Sequence, residues 1–178
     1  MSVKFGLLAL LAEGKAHGYQ LKTEYERRTG RSWALNIGQV YTTLQRLERD
    51  GLVEELGTDG DRIEYRLTAA GRTALEAWFA TPVLPEVAAR DELTVKVLLA
   101  VAAADVDVSD LIQRQRRASL EQLQAYTRRK AQADPGEVAF LILMDALMFR
   151  TEADIRWLDA AEARIRAATA PAPAGGVR

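Results

Sequence analysis

Between residues 36 and 81 the chain changes its apolar rhythm twice, and few folds accept that order. From Asn36 onward, Ile37, Val40, Leu44 and Leu47 recur at helical spacing, and Gly51 supplies a stop. Residues 52–56 then alternate weakly, with Val53 as the inward residue. Residues 57–61 (Gly-Thr-Asp-Gly-Asp) read as a turn, and residues 62–67 alternate cleanly, with Ile63, Tyr65 and Leu67 on one face. Helical spacing returns after Thr68, a capping residue, and ends near Thr81–Pro82. A lone hairpin is marginal in water, so its apolar face needs helices to pack on.

Two upstream helices can supply that surface. Val3 to Ala12 crowds Val3, Leu7, Leu8, Leu10 and Leu11 onto one broad face, and Gly14 ends it. Ala16–His17–Gly18 connects to a second helix, about Tyr19 to Arg28, which buries Leu21 and Tyr25 and exposes Gln20, Lys22 and Thr23. Gly30 and Arg31 close it. Helix, helix, polar-faced helix, hairpin, helix predicts a winged helix-turn-helix over residues 1–81.

The third helix carries the functional signal. Asn36 can cap its first turn, and Gln39, three residues on, can reach back to the cap. Its outer face presents Gln39, Thr42, Thr43, Gln45, Arg46 and Arg49, side chains that pair with base edges and phosphates in a major groove. A merely solvated helix more often uses Glu and Lys in quantity. Thr42, Thr43 and Arg46 are the base-side candidates, and Arg62 is placed to touch phosphate or a minor groove from the wing. His17 reads as a helix-start residue packed under the domain rather than as a ligand or proton switch. Glu54 and Glu55 form no catalytic dyad, because neighbouring strand residues point to opposite faces.

Charge argues in the other direction. The 178 residues carry a formal charge of −1, and residues 1–80 hold eleven Lys and Arg against eleven Asp and Glu. No basic block announces nucleic acid, so the fold must sort positive charge onto one face. The absence of cysteine excludes disulfides, thiolate metal sites and thiol catalysis, and a single histidine disfavours a zinc enzyme. No Ser/His/Asp arrangement, phosphate-cradling loop or metal-ligand spacing is present, so neither an enzyme nor a cofactor is expected. The first residues lack a signal-peptide pattern, and residues 138–149 are too short for a bilayer span of roughly 18–20 residues, with Asp145 interrupting them. The expectation is a cytoplasmic protein without a membrane partner.

Pro82 and Pro85 mark a linker to a helical region over residues 82–169. Asp91 can cap a helix bearing Leu93, Val97, Leu98 and Val101, and residues 105–109 break it. A helix from about Asp110 to Ala133 follows, with Leu111, Ile112, Leu120, Leu123 and Tyr126 inward and Gln and Arg outward. Its basic end, Arg128–Arg129–Lys130, suits a solvated helix C-terminus. Asp134–Pro135–Gly136–Glu137 is a strong start signal for a last helix running from Pro135 to about Ala168, roughly 50 Å at 1.5 Å per residue. Along it Leu141, Met144, Met148, Ile155, Leu158 and Ile165 form a stripe that Thr151 and Glu162 interrupt. A helix of that length outruns a small domain, so the stripe is expected to seat a second copy of the chain. Residues 170–178 read as a disordered tail. The fold class is therefore mostly α, with a small β-hairpin wing and a helical dimerisation domain.

Three stretches, IGQVYTTLQRLERDGLV, RIEYRLTAAGRTALEAW and RDELTVKVLLA, resemble the PadR family of bacterial transcriptional regulators. The motif positions are Tyr41, Leu44, Leu47, Glu48, Gly51 and Leu52, then Arg62, Tyr65, Leu67, Thr68 and Gly71. Gly6 to Leu11 and His17 to Tyr19 also fit. One departure is Thr42, where the family often has Pro. The resemblance covers the first 80 residues strongly and residues 90–103 moderately. It implies a homodimeric repressor on double-stranded DNA, released by a small-molecule effector, with an inverted-repeat operator. The DNA-facing set is then Tyr19, Lys22, Asn36, Gln39, Tyr41, Thr42, Thr43, Arg46 and Arg62. Multidrug-sensing PadR-like proteins hold flat aromatic compounds between subunits, which gives Trp157 and Phe149 a ligand-binding reading beside plain packing. Trp33 and Trp78 read as core or interface residues. A winged-helix protein-interaction module is the alternative that the neutral charge permits.

Overall fold

The structure is a computed structural model that describes residues 3–30, 33–59, 62–83, 91–103 and 105–169. The expected tail at 170–178, residues 60–61 of the expected turn, Arg31 and Pro85 lie outside the described residues. The chain divides into two compact units, Met1–Leu84 and Pro85–Arg178.

In the first unit α1 (Val3–Leu11) is the central element. Val3, Leu7, Leu8, Leu10 and Leu11 are all buried, which a helix apolar on most of its faces requires. Around it pack α2 (Gly18–Arg28), α3 (Ile37–Arg49) and α4 (Ala69–Ala80). Their inward residues are Leu21 and Tyr25, then Val40, Leu44 and Leu47, then Leu75. Each fully buried leucine stabilises the unit by roughly 1.5–3 kcal/mol.

The hairpin consists of β2 (Val53–Asp59) and β3 (Arg62–Leu67), paired antiparallel from Val53–Leu67 to Asp59–Arg62, with a register shift between Glu55 and Thr58. Val53 and Tyr65 face the core, with Ile63 and Leu67 packed beside them. A third strand, β1 (Ala16–His17), pairs with β3 through Ala16–Tyr65 and His17–Glu64, giving the order β1-β3-β2. The sequence reads these residues only as a connection, because two residues cannot display an alternation. Thr68 caps α4 as expected: its Oγ1 accepts the Gly71 N–H at 3.0 Å and donates to the Gly51 carbonyl at 2.8 Å. Gly71 lies so close to the Leu52 carbonyl that any Cβ there would collide with it, which fixes the hairpin's entry against α4.

The second unit contains α5 (Glu92–Ala102), α6 (Val108–Ala131) and α7 (Val138–Thr169). Asp91 caps α5 through the Leu93 and Thr94 N–H groups, and Asp107 caps α6 through Asp110. The start signal at Asp134 works later than expected. Its Oδ1 accepts from Gly136 at 2.7 Å, and the turn so closed delays the helix until Val138. On α5, Val97 and Ala100 are buried while Leu98 and Val101 are exposed, so the inward stripe is narrower than the apolar content implies. Leu120 on α6 is likewise exposed. Ion pairs and hydrogen bonds join Gln113 to Glu162, Arg116 to Asp159, and Lys130 to Asp145, so α6 and α7 run antiparallel. Among the described residues no helix is long and apolar enough to cross a membrane.

Candidate nucleic-acid interface

Val40, Leu44 and Leu47 pin the inner side of α3, and this turns Gln39, Thr42 and Arg46 to solvent with Thr43 half-buried. Asn36 Oδ1 accepts the Gly38 N–H at 2.8 Å. The expected reciprocal pair with Gln39 is replaced by this shorter loop, and Gln39 instead joins Lys4, Thr43 and Arg46 around an open cavity of about 490 Å³. Ile37, read from its spacing as a core residue, is exposed with the rest of residues 36–39, because the first turn stands clear of the core. Thr42 and Thr43 donate their hydroxyl protons to the Gly38 and Gln39 carbonyls at 2.8 and 2.7 Å. What they offer a groove is therefore a lone pair and a methyl group, suited to a base amino group or a thymine methyl.

The second helix contributes less freely than its sequence implies. Tyr19 is 58% exposed at its start. Lys22 is bonded to Glu26 at 2.7 Å, and Glu26 also accepts the Leu35 N–H at 2.9 Å, so this pair braces the segment leading into α3. The Lys22 ammonium and the Leu35 N–H hold the Glu26 carboxyl below its ordinary range. Tyr41 is partly exposed, and its ring lies where a Cβ on Gly18 would come within 2.7 Å, so glycine lets α3 approach the start of α2.

Sorting of charge resolves the neutral count. Lys15 pairs with Glu64 at 2.7 Å, Arg66 with Glu54 at 2.8 Å, and Arg49 with Asp50 at 2.9 Å. Lys4 reaches Asp50 at 4.0 Å. Arg27 and Arg28 share Glu24, whose pKa they pull down to about 2, and Arg28 also holds Glu13. Among the described residues of this unit, the cations left without a carboxylate partner are Arg46, Arg62 and Arg72. Two of these three are the arginines read from sequence as groove and wing contacts.

In the second unit two of the six residues of the α7 stripe are fully buried within the chain itself. Met144 and Leu158 are 0% exposed within a single chain. Leu158 packs with Val97 and Ile112 in the core of α5, α6 and α7 of one chain. Glu162, which interrupts the stripe, is buried and bonded to Gln113 at 3.0 Å, Arg116 at 2.8 Å and Arg166 at 2.5 Å. Polar residues of α6 thus answer the polar residue of α7. Leu141, Met148, Ile155 and Ile165 are half-buried. Trp157 packs on the same core, while Phe149 stands 64% exposed eight residues earlier, about 12 Å along the helix.

Comparison with known proteins agrees with this architecture. The family model "Transcriptional regulator PadR-like family" matches residues 7–77, and "Virulence activator alpha C-term" matches residues 89–166. A transcriptional regulator of Mycobacterium tuberculosis, Rv3488, is 39% identical over 42% of this chain and 69% of its own length. The chain belongs to the PadR-like family of transcriptional regulators. The negative transcriptional regulator PadR of Bacillus subtilis is 28% identical over 92% of the chain and 97% of that protein. Its structure in complex with p-coumaric acid superposes with a TM-score of 0.64 at 23% identity, covering 93% of this chain and 99% of that one. The Vibrio cholerae virulence activator AphA superposes with a TM-score of 0.63 at 23% identity, over 94% of this chain and 100% of that one. These structures share the fold, and the family is one of regulators rather than enzymes.

Sequence reasoning places His17 at a helix start, and what it misses is the cap that this residue forms. It is the N-cap of α2: Nδ1 accepts the Gln20 N–H at 3.2 Å, and Gln20 Oε1 accepts the His17 N–H at 3.1 Å. The spacing of His17 and Gln20 is that of a capping box, a signal that histidine, a rare capping residue, conceals.

Proposed function

We propose that this PadR-like regulator is a sequence-specific DNA-binding repressor that acts as a homodimer on an inverted repeat. The observation that carries the reading is the coincidence of Arg46 and Arg62, both without carboxylate partners, with the exposed Gln39 and Thr42 and the half-buried Thr43 on the outer face of α3. Residues 1–81 bind DNA and residues 82–169 dimerise in this reading, and the protein works in the cytoplasm. Two-fold symmetry sets the α3 helices of the pair about one DNA turn apart. The Bacillus subtilis relative has been solved with operator DNA and with p-coumaric acid, which supports a small aromatic effector here also, with Trp157 and Phe149 as its contacts. An effector releases DNA only if it binds the DNA-free arrangement more tightly.

The test is selection of duplexes from a randomised pool, followed by gel-shift titration at several salt concentrations. An enriched inverted repeat with steep salt dependence is the expected result. A pool that stays unenriched, with binding insensitive to salt, overturns the reading.

A further inference from the structure

His17 and Arg62 meet where β1 pairs with β3: the guanidinium Nη1 lies 3.2 Å from the imidazole Nε2. The other ring nitrogen is already committed, since Nδ1 accepts the Gln20 N–H that caps α2. A neutral imidazole has one donor nitrogen and one acceptor nitrogen. With Nδ1 accepting, the proton sits on Nε2, so Nε2 and Nη1 are both donors and neither can bond the other. A helix cap fixes one donor and a strand fixes the other. What the pair lacks is an acceptor oxygen between them.

Among the described residues, the neighbouring carboxylates do not supply that oxygen. Both residues border an open cavity of about 570 Å³ that also takes in Glu13, Glu24 and the exposed Tyr19. Glu13 and Glu24 are held by Arg27 and Arg28, and Glu64 on β3 is held by Lys15. An incoming anion would therefore find two converging N–H groups for which Glu13, Glu24 and Glu64 do not compete.

We propose that His17 and Arg62 form a two-donor clamp for one phosphodiester oxygen of the DNA backbone, making His17 a direct DNA contact as well as a helix cap. A phosphodiester oxygen is anionic and carries no proton, so it accepts from both donors at ordinary N···O distances. The clamp fixes the position of the wing along the duplex without reading sequence. It rests on the DNA-binding reading above.

The experiment separates the two roles of the ring. His17→Asn keeps a strong capping side chain, whose oxygen still accepts the Gln20 N–H, but removes the Nε2–H. His17→Ser is a second capping substitution. Both variants are expected to keep the wild-type circular dichroism and thermal midpoint, and to bind duplexes selected by the wild type roughly ten-fold more weakly. Arg62→Ala is expected to lose at least as much and to lower the salt slope by about one, whereas His17→Asn leaves that slope unchanged. The double variant should bind about as well as Arg62→Ala alone, because the two donors share one acceptor. A scan of single methylphosphonate replacements should find one position where the wild type loses affinity and neither variant loses more.

Wild-type affinity in His17→Asn overturns the clamp, as do strictly additive losses in the double variant. Loss of fold in both capping variants also overturns it, since the ring is then structural. Failure of the wild type to select any duplex overturns the DNA-binding reading and the clamp with it. Wild-type binding with unaffected His17 variants overturns the clamp alone.

Discussion

Helices α3 and α7 carry the same kind of sequence signal and put it to different uses. Each has an apolar stripe at helical spacing, unbroken on α3 and interrupted by Thr151 and Glu162 on α7. On α3 the stripe ends in the core of its own unit, and the polar face is left open with an unpaired arginine. On α7 only Met144 and Leu158 of the stripe are fully buried within the chain, the rest is half-buried, and the polar interruption at Glu162 is buried against α6. Periodicity reports that a helix has a partner. It does not report whether that partner is in the same chain.

Removing core leucines is the most severe way to sharpen this contrast. Leu44→Ala and Leu158→Ala should each destabilise their unit by about 2–5 kcal/mol, because each deletes a side chain that is 0% exposed. Urea titrations at several protein concentrations check the origin of the effect. For Leu158→Ala the loss should be the same at every concentration if the residue packs within the chain. A loss that shrinks as protein concentration rises would return Leu158 to an interface between copies.

Arg46→Ala is expected to act on binding and to leave stability alone. It should weaken binding to selected duplexes by about 1–3 kcal/mol, roughly five-fold to 150-fold, with thermal midpoint unchanged. Arg49→Ala, on the same helix but already tied to Asp50, should lose distinctly less. Equal losses from the two arginines, measured by gel shift, would break the claim that ion pairing sorts the charge.

The boundaries of most elements were legible because they rest on local chemistry: Thr68, Asp91 and Asn36 are capping residues by type, and each caps a helix. The hairpin was legible from the alternation of Ile63, Tyr65 and Leu67. What escaped was non-local. β1 exists only because β3 is there to pair with it. Leu98 and Val101 satisfy helical spacing, yet α5 has no described neighbour to cover them. The candidate site was legible in its residue types on α3. Which arginines stay unpaired was not, since Arg66 and Glu54, or Arg28 and Glu13, become partners only after folding.

Acid titration probes the α6–α7 side of the comparison. Arg116 first, then Gln113 and Arg166, hold the Glu162 carboxyl below its ordinary range. A carboxylate whose folded pKa is depressed stabilises the fold above its unfolded pKa, and that contribution is lost as pH falls through the folded value. Glu162→Gln should therefore lower the thermal midpoint near neutrality and flatten its fall in acid, while a parallel melting series on Arg46→Ala follows the wild type. An unchanged acid limb in Glu162→Gln would remove the network from the account of this unit.

The smallest effect expected runs in the favourable direction. Asp50 ends α3 and neutralises Arg49 at 2.9 Å and Lys4 at 4.0 Å, both beside the cavity that Gln39, Thr43 and Arg46 also line. Asp50→Asn deletes the counter-ion and keeps a side chain of the same shape. It also removes a negative charge from a helix C-terminus, where the helix dipole disfavours it. Stability should hold, and affinity for mixed-sequence duplex at low salt should rise a few-fold, with a steeper salt slope. Sequence preference should not change, because the freed cations meet phosphates rather than base edges. If affinity stays flat while Arg46→Ala abolishes binding, then proximity to α3 is not enough, and only the arginines that folding leaves unpaired face the DNA.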